Sequence, residues 1–452
     1  MIIVYWLIKP FALIFMRVYY KLYYTGLENV PSGVPVVFAP NHVNAFVDPV
    51  ITAMNPSQKV RFFARGDVFK TPVARFILNQ MNVSPMYRIQ EGYAELKKND
   101  KTFEECRQLL SSNKSILLFP EGICIQERRL RPLKKGLARI VFQTAESFDF
   151  SKDILVIPIG LNYTDAKRFR SKVFIDYGKP VSVKEYQQRY LQDKVKTIND
   201  FTRIFEAKMK EQMVIIEDPQ NDELVTGIEE VFLNSWIEKS AGGELPMDQQ
   251  YQATREIAEM VNHLGEHQPE MIVRMKELML PYLAKLNKHQ LRDHLLRPEI
   301  INKMNFATFL LEYVKVYLGM PIYLIGLAMN YPPYYLAKSF SDEKIKNVEF
   351  YASVYANLAM ILWLVYYGIQ LLFVAFRYQN WLLLGIYACL VPLTGLFVLG
   401  FYPMMKKIFG RWRLLRMVRK ERHIVEELAT ERAVVTDAIE RARSVYQNAP
   451  AK

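Results

Sequence analysis

The sequence of 452 residues contains few cysteines, and this scarcity excludes several classes of site. Its three cysteines, Cys106, Cys124 and Cys389, show neither a paired framework nor the spacing of metal ligands. So sparse a set is typical of a reducing compartment. The six histidines are scattered, and no cysteine or carboxylate cluster accompanies them. We therefore predict neither structural disulfides nor a metal site.

The chain also lacks a cleavable leader and a clean N-terminal membrane span. Residues 1–24 are apolar and aromatic, but no small-residue cleavage site follows them. Lys9, Arg17 and Lys21 leave charge-free runs that are too short to cross a bilayer. We expect residues 1–30 to contain a membrane-associated helix that lies in the interface, rather than a buried core helix.

Acidic residues are in the minority, and the formal net charge is +13. Such a charge suits an anionic partner, which could be nucleic acid, a membrane surface or a phosphorylated substrate. A nucleic-acid binder would interleave aromatic and basic residues, and this chain does not. Its densest basic run, residues 406–422, adjoins an apolar segment instead. We therefore predict membrane lipids as partners and no nucleic acid.

Long charge-free runs occur only in the last third of the chain. Residues 318–337, 352–376 and 381–405 are each long enough to cross a bilayer, and such runs are uncommon in a soluble helical core. Only four residues separate the last two, which predicts an antiparallel hairpin of two spans. The first run contains Pro321 and the pair Pro332-Pro333, which disfavour a continuous helix. We expect that run to be re-entrant or interfacial.

Strands alternate with helical segments over residues 31–180, which predicts an α/β layered domain with a mixed sheet flanked by helices. Charged amphipathic helices follow over residues 181–305, and no catalytic constellation is evident there. The predicted domains are therefore 1–30, 31–180, 181–305, a membrane region over 306–405 and a basic cytoplasmic helical tail over 406–452.

The first predicted strand, Val36–Pro40, leads directly into a polar pair. Asn41 and His42 follow the strand, and Asp48 comes six positions after the histidine. Strand ends are where α/β sheets usually place their chemistry. His42 can accept a proton near neutral pH, and Asp48 could fix its tautomer and stabilise the imidazolium. Taken alone this pair is a weak signal, because His and Asp often occur this close by chance.

Three further stretches strengthen the catalytic interpretation. The second stretch begins with Phe62–Arg65 and ends with Pro85–Arg88. The third is Phe119–Gly122 with a basic run after it, and the fourth is Val156–Gly160. These blocks, in this order over residues 41–160, resemble those of the glycerolipid acyltransferase superfamily. Five residues separate His42 from Asp48, as in a branch that includes glycerol-3-phosphate acyltransferases.

The resemblance implies a membrane-bound enzyme that transfers an acyl chain from acyl-CoA or acyl carrier protein to glycerol-3-phosphate or lysophosphatidic acid. It implies His42 as general base and Asp48 as its orienting group, with no acyl-enzyme and no cofactor beyond the thioester co-substrate. The absence of a Gly-x-Ser-x-Gly turn is consistent with direct transfer. The residues predicted to bind substrate are Arg65, Arg88, Glu121, Gly122 and Arg128, and of these the resemblance implies Arg88, Glu121 and Gly122.

One departure from the family pattern leaves the acceptor open. Ile123-Cys124-Ile125 stands where Thr/Ser-Arg-Ser usually follows the third block, so acceptor contacts come from elsewhere, with Arg128, Arg129 and Arg131 as candidates. Another lysolipid is an alternative acceptor. A non-catalytic membrane adaptor is a further alternative, which the intact His42 and Asp48 disfavour. Cys124 is disfavoured as a covalent nucleophile, because no second base lies near it in sequence.

Arg88 provides a test of the acceptor assignment. Because its guanidinium suits bidentate contact with a phosphate, Arg88→Ala should raise the KM of the phosphorylated acceptor far more than that of the acyl donor. Arg88→Lys should rescue only in part, since lysine lacks the planar fork. Steady-state kinetics with each substrate varied in turn measure this, and equal effects on the two KM values would remove Arg88 from the acceptor site.

Overall fold

The structure is a computed structural model, and it describes residues 3–53, 59–87, 99–239, 246–297 and 306–449. The chain divides into two compact units. The first comprises Met1–Ile215 together with a short later segment, Ser341–Asn357. The second comprises Ile216–Phe340 and Leu358–Lys452.

A mixed sheet forms the centre of the first unit, as the sequence predicts. Five neighbouring strands, in the order β6-β2-β5-β3-β4, run parallel to one another. β7 is antiparallel to β6 and carries β1 on its other side, and β8 pairs with β6. The strands are β1 Lys21–Thr25, β2 Val36–Pro40, β3 Val60–Arg65, β4 Val83–Met86, β5 Ser115–Leu117, β6 Leu155–Tyr163, β7 Lys172–Tyr177 and β8 Val181–Ser182.

Helices pack against this sheet in the first unit. They are α1 Ile3–Tyr19, α2 Val47–Ala53, α3 Pro72–Gln80, α4 Asn99–Ser111, α5 Gly136–Glu146, α6 Gln187–Gln192 and α7 Lys194–Lys210. Val37 and Ala39 of β2 share one apolar core with Leu110 of α4, Phe142 of α5 and Phe201 of α7. All residues of β2 are buried, which explains why the strand reads as a continuous apolar run in sequence.

The N-terminal helix is shorter than the sequence analysis proposed. It ends at Tyr19, and Lys21–Thr25 forms strand β1, which pairs in parallel with Lys172–Asp176. The aromatic and β-branched residues of this segment favour a pleated strand, and the edge of β7 supplies the partner. The apolar character of residues 21–24 therefore comes from a sheet edge and not from a helix.

Among the described residues, the helices that belong wholly or partly to the second unit are α8 Asp222–Lys239, α9 Met247–His267, α10 Pro269–Lys288, α11 Phe306–Lys344, α12 Val348–Tyr378, α13 Trp381–Lys420 and α14 Arg422–Gln447. The charged tail helix α14 packs on α9 and α10. Lys285 of α10 pairs with Glu427 at 2.6 Å, and Arg443 of α14 pairs with Glu256 of α9 at 2.9 Å. The amphipathic character predicted for residues 181–305 thus serves helix packing.

Within the ranges that the structure describes, three helices are long and apolar enough to cross a membrane: α11, α12 and α13. The expectation that prolines interrupt the first of them is wrong, because α11 is continuous through Pro321, Pro332 and Pro333. A helical proline leaves the carbonyl four residues earlier without its N–H donor.

Side chains of the neighbouring helix α12 supply the donors that two of these prolines lack. The carbonyl of Ala328, freed by Pro332, accepts from the Tyr366 hydroxyl at 3.3 Å. The carbonyl of Met329, freed by Pro333, accepts from the Gln370 amide at 3.2 Å. Helix α13 shows the same arrangement before Pro392, where the Ala388 carbonyl accepts from the Tyr367 hydroxyl at 2.5 Å. Neighbouring helices thus satisfy the freed carbonyls, as membrane helices require.

Candidate active site

The four sequence blocks meet at one edge of the sheet. Because β2, β3, β4, β5 and β6 are parallel, their carboxyl ends lie along the same edge. His42 follows β2 and Glu121 follows β5 at this edge, while Tyr163 ends β6. Arg65 ends β3 and Met86 ends β4 there. The described residues of the blocks therefore lie at the strand ends, where the sequence analysis predicts the chemistry.

His42 and Asp48 form a direct pair. The imidazole Nδ1 of His42 lies 2.9 Å from Oδ2 of Asp48, which is fully buried at the start of α2. The carboxylate engages Nδ1 and leaves Nε2 as the nitrogen that can take a proton from a substrate. The Phe119 ring stacks on the imidazole with centroids 3.7 Å apart and planes inclined by 15°. The Asp48 carboxylate and the Phe119 ring together thus fix the orientation of the imidazole plane.

Asp48 also organises the loop that carries His42. Its Oδ2 accepts the N–H groups of Val43 at 2.7 Å and Asn44 at 2.6 Å. Its Oδ1 accepts the hydroxyl of Tyr163 at 2.6 Å. Burial raises the pKa of the Tyr163 phenol, and the neighbouring Asp48 adds to this, so the hydroxyl remains a donor. Four donors compensate the buried carboxylate for the hydration that it loses.

The third block folds back over the first and fixes its main chain. Oε1 of Glu121 accepts the N–H of His42 at 2.9 Å, and Oε2 accepts the N–H of Arg131 at 3.0 Å. The Ile125 N–H donates to the His42 carbonyl at 3.0 Å. Burial raises the pKa of Glu121 to about 7, although both hydrogen bonds oppose this. Glu121 therefore holds His42 in place through the backbone, while the acceptor contact implied for it stays a prediction.

Gly122 lies at a turn that requires glycine. Its φ of 70° is left-handed, and its N–H donates to the Phe119 carbonyl at 3.1 Å. A Cβ on this residue would lie 3.3 Å from Cγ of Lys134. The conformation of Gly122 lets the chain turn from the strand end into the basic run.

The contacts of the three arginines predicted to bind substrate define a site less clearly than the contact between His42 and Asp48. Arg65 forms an exposed ion pair with Asp67 at 2.6 Å. The Arg128 guanidinium donates to the Thr164 carbonyl at 3.4 Å. Arg88 lies outside the described residues. The acceptor roles of all three arginines stay predictions.

Sequence reasoning missed the roles of Tyr163, Asn44 and Phe119. Tyr163 ends a strand that the sequence predicts, but it lies 115 residues from Asp48, and nothing in a single sequence connects the two. Phe119 belongs to the third block, yet stacking on His42 depends on how two strand ends meet. Within the described ranges no group of three or more His, Cys, Asp or Glu could hold a metal ion.

The pKa of Glu121 predicts a pH dependence of stability. A carboxyl whose folded pKa is near 7, against an ordinary value of 4.5, favours the folded state below pH 4.5 and loses this contribution as the pH rises through 7. Glu121→Gln removes that titration, so between pH 5 and 8 the wild type should lose on the order of 3 kcal/mol relative to the variant. Thermal unfolding midpoints in detergent measure this, with the exposed Glu28→Gln as control. Parallel pH profiles for wild type and Glu121→Gln would contradict it.

Comparison with known proteins agrees with this geometry. The Acyltransferase family model matches residues 21–162. The chain is 30% identical over 154 residues to the chloroplastic 1-acyl-sn-glycerol-3-phosphate acyltransferase BAT2 of Brassica napus, covering 34% of this chain and 40% of that protein. It is 23% identical over 261 residues to glycerol-3-phosphate O-acyltransferase 2 of Saccharomyces cerevisiae, covering 56% of this chain and 34% of that protein.

Among solved structures, the crystal structure of the 1-acyl-sn-glycerophosphate acyltransferase PlsC from Thermotoga maritima matches with a TM-score of 0.32 and 18% sequence identity. That match covers 45% of this chain and 78% of the PlsC chain. The chain spans less than half the length of the two curated relatives described above. The family match covers strands β1 to β5 and all of β6 except Tyr163, with His42, Asp48 and Glu121 inside it. The part of the chain that resembles the Acyltransferase family model is therefore the part that carries this site.

Proposed function

We propose that this chain is a membrane-bound acyltransferase that transfers a fatty acyl chain from an acyl thioester to a hydroxyl of glycerol-3-phosphate or lysophosphatidic acid. The observation that carries the proposal is the 2.9 Å contact between His42 and the buried Asp48 at the carboxyl edge of the sheet. The names of the relatives, which include acyltransferases for both acceptors, support the choice of substrate class. The thioester is that of coenzyme A or acyl carrier protein.

The geometry suits general base catalysis on a substrate hydroxyl. Nε2 of His42 takes the proton from the acceptor hydroxyl as its oxygen attacks the thioester carbonyl carbon. The tetrahedral intermediate collapses, the carbon–sulfur bond breaks, and the imidazolium returns the proton to the leaving thiolate. Asp48 stabilises the imidazolium between the two proton transfers. No enzyme nucleophile takes part, because the acceptor oxygen is itself the nucleophile.

The central prediction concerns the base. His42→Ala should reduce turnover by ~10²–10⁴-fold, the usual loss on removing a general base, while the protein still inserts and folds. Asp48→Asn should also be severe, because the imidazole loses its orienting anion. Thiol release from one acyl thioester by the purified chain measures both effects, and the exposed His423→Ala of α14 serves as control.

The assay should compare glycerol-3-phosphate, lysophosphatidic acid and other lysolipids as acceptors. Near-normal turnover of His42→Ala would contradict the mechanism. Activity of the wild type with a non-phosphorylated lysolipid alone would contradict the acceptor class. Absence of thiol release with every acceptor would favour a non-catalytic role for the domain.

We propose that the catalytic domain lies on the cytoplasmic side, and chain connectivity supports an even number of crossings. Among the described residues, no candidate span lies between β1 and the start of α11. Asn44 of the catalytic loop is hydrogen-bonded at 2.6 Å to Ser353, which follows α11 in the chain. The chain before α11 and the chain after it therefore belong on one face of the membrane. It follows that α11 does not cross.

Contacts of α11 within the second unit are with both helices of the predicted hairpin. The amide of Asn330 donates to the carbonyl of Val391, near the middle of the apolar run of α13, at 3.1 Å. Its oxygen accepts from the indole of Trp363, near the middle of α12, at 3.1 Å. Asn330 thus joins α11 to both helices of the predicted hairpin. The crossings are then α12 and α13, and the basic tail lies on the cytoplasmic side.

Cysteine labelling tests this topology. In a cysteine-free chain expressed in intact bacterial cells, an impermeant thiol reagent should label Gln379→Cys, in the turn between α12 and α13, without permeabilisation. Glu343→Cys and Gln447→Cys, which are also exposed positions, should react only after permeabilisation. Labelling of either of these two from outside would overturn the topology.

A further inference from the structure

The loop between His42 and Asp48 leaves two backbone donors for another part of the chain to satisfy. The N–H groups of Val43 and Asn44 donate to the Asp48 carboxylate, and those of Val47 and Asp48 donate to the Asn44 carbonyl. The N–H groups of the two middle residues have no acceptor within the loop itself. Backbone N–H groups in folded proteins are almost always paired, and these two find their acceptors outside the loop.

The first turns of helix α12 complete it. The N–H of Ala45 donates to the carbonyl of Glu349 at 3.2 Å. The N–H of Phe46 donates to the hydroxyl oxygen of Ser353 at 2.9 Å, and that hydroxyl donates to Oδ1 of Asn44 at 2.6 Å. Ser353 is fully buried, and one hydroxyl group thus bridges the backbone and a side chain of the catalytic loop. The two partners of this hydroxyl lie more than 300 residues from it in sequence.

Asn44 is the residue through which Ser353 reaches the catalytic pair. Its side-chain amide donates to the Tyr20 hydroxyl at 2.9 Å, and its own N–H donates to Oδ2 of Asp48. The Tyr20 hydroxyl in turn donates to the Ala166 carbonyl at 2.5 Å. Asn44 is fully buried, so each of these bonds is costly to leave unmade. A displacement of Asn44 therefore shifts Oδ2 of Asp48, which is the oxygen that contacts Nδ1 of His42.

We propose that Ser353 is a positioning residue for acyl transfer, holding Asn44 and Phe46 so that the loop presents Asp48 to His42. This inference rests on the proposed function. The residue is carried by the helix that begins the membrane hairpin, so the catalytic loop attains its full set of hydrogen bonds only when the start of α12 is docked on it. The site is therefore assembled from the acyltransferase-family domain and a segment outside it.

The test compares two buried serines of the same compact unit in the full-length chain. Ser353→Ala removes both hydrogen bonds, whereas Ser341→Ala removes a buried hydroxyl for which the described part of the chain offers no partner. A misplacement of about 1 Å near the chemistry costs on the order of 10²-fold in rate, so Ser353→Ala should lower kcat by roughly 10- to 100-fold. The KM values of donor and acceptor should stay within about twofold, because no substrate contact is lost. Ser353→Thr, which keeps a hydroxyl, should recover much of the loss.

Hydrogen exchange supplies a readout that does not depend on catalysis. In Ser353→Ala, the peptide covering residues 43–48 should exchange faster than in wild type and in Ser341→Ala, while peptides from the rest of the first unit should exchange as in wild type. Unchanged exchange, an equal loss of kcat in Ser341→Ala, or faster exchange with normal kcat would each overturn the positioning role. If the wild type transfers no acyl group at all, the proposed function fails by itself, and the exchange comparison still decides whether Ser353 holds the loop.

Discussion

A carboxylate removed from water must receive hydrogen bonds from its surroundings, and Asp48 receives them from three parts of the chain. Its own loop gives two N–H groups, the imidazole gives Nδ1, and strand β6 gives the hydroxyl of Tyr163. These contacts require β2 and β6 to be neighbours in parallel register, and the structure pairs Val36–Pro40 with Leu155–Ile159. The orientation of the His42 imidazole thus depends on β2 and β6 being neighbours in the sheet.

Contacts around the loop extend this dependence beyond residues 21–162, which the family model matches. Glu121 fixes the backbone of His42, and Asn44 connects the loop to Tyr20 and to Ser353. Tyr20 immediately follows α1, and Ser353 belongs to α12. Residues near the beginning of the first unit and from its later segment thus both hold the loop between His42 and Asp48. The hydrogen bonds of the loop between His42 and Asp48 are thus completed by the start of a helix that is long and apolar enough to cross a membrane.

Sequence alone predicted the mixed sheet and strand β2 with the polar residues at its end, because these depend on local patterns. β2 is a continuous apolar run, and the residues after it are polar, so the strand and its functional end are both visible in sequence. The end of α1 was missed because Lys21–Thr25 becomes a strand only through the partner β7. The continuity of α11 was missed because Tyr366 and Gln370, on another helix, satisfy the carbonyls that its prolines free. Tyr163 and Ser353 have no local signal, because their roles exist only once distant segments meet.

The most direct test of the account is a double-mutant cycle on the catalytic pair. The values of kcat/KM are measured for wild type, His42→Ala, Asp48→Asn and the double variant, with the same acyl thioester and acceptor. If Asp48 acts through His42, the double variant should be no slower than the slower single variant, because the imidazole that Asp48 orients is already gone. If instead the two losses multiply, Asp48 contributes independently of His42, and the central role given to their contact is contradicted.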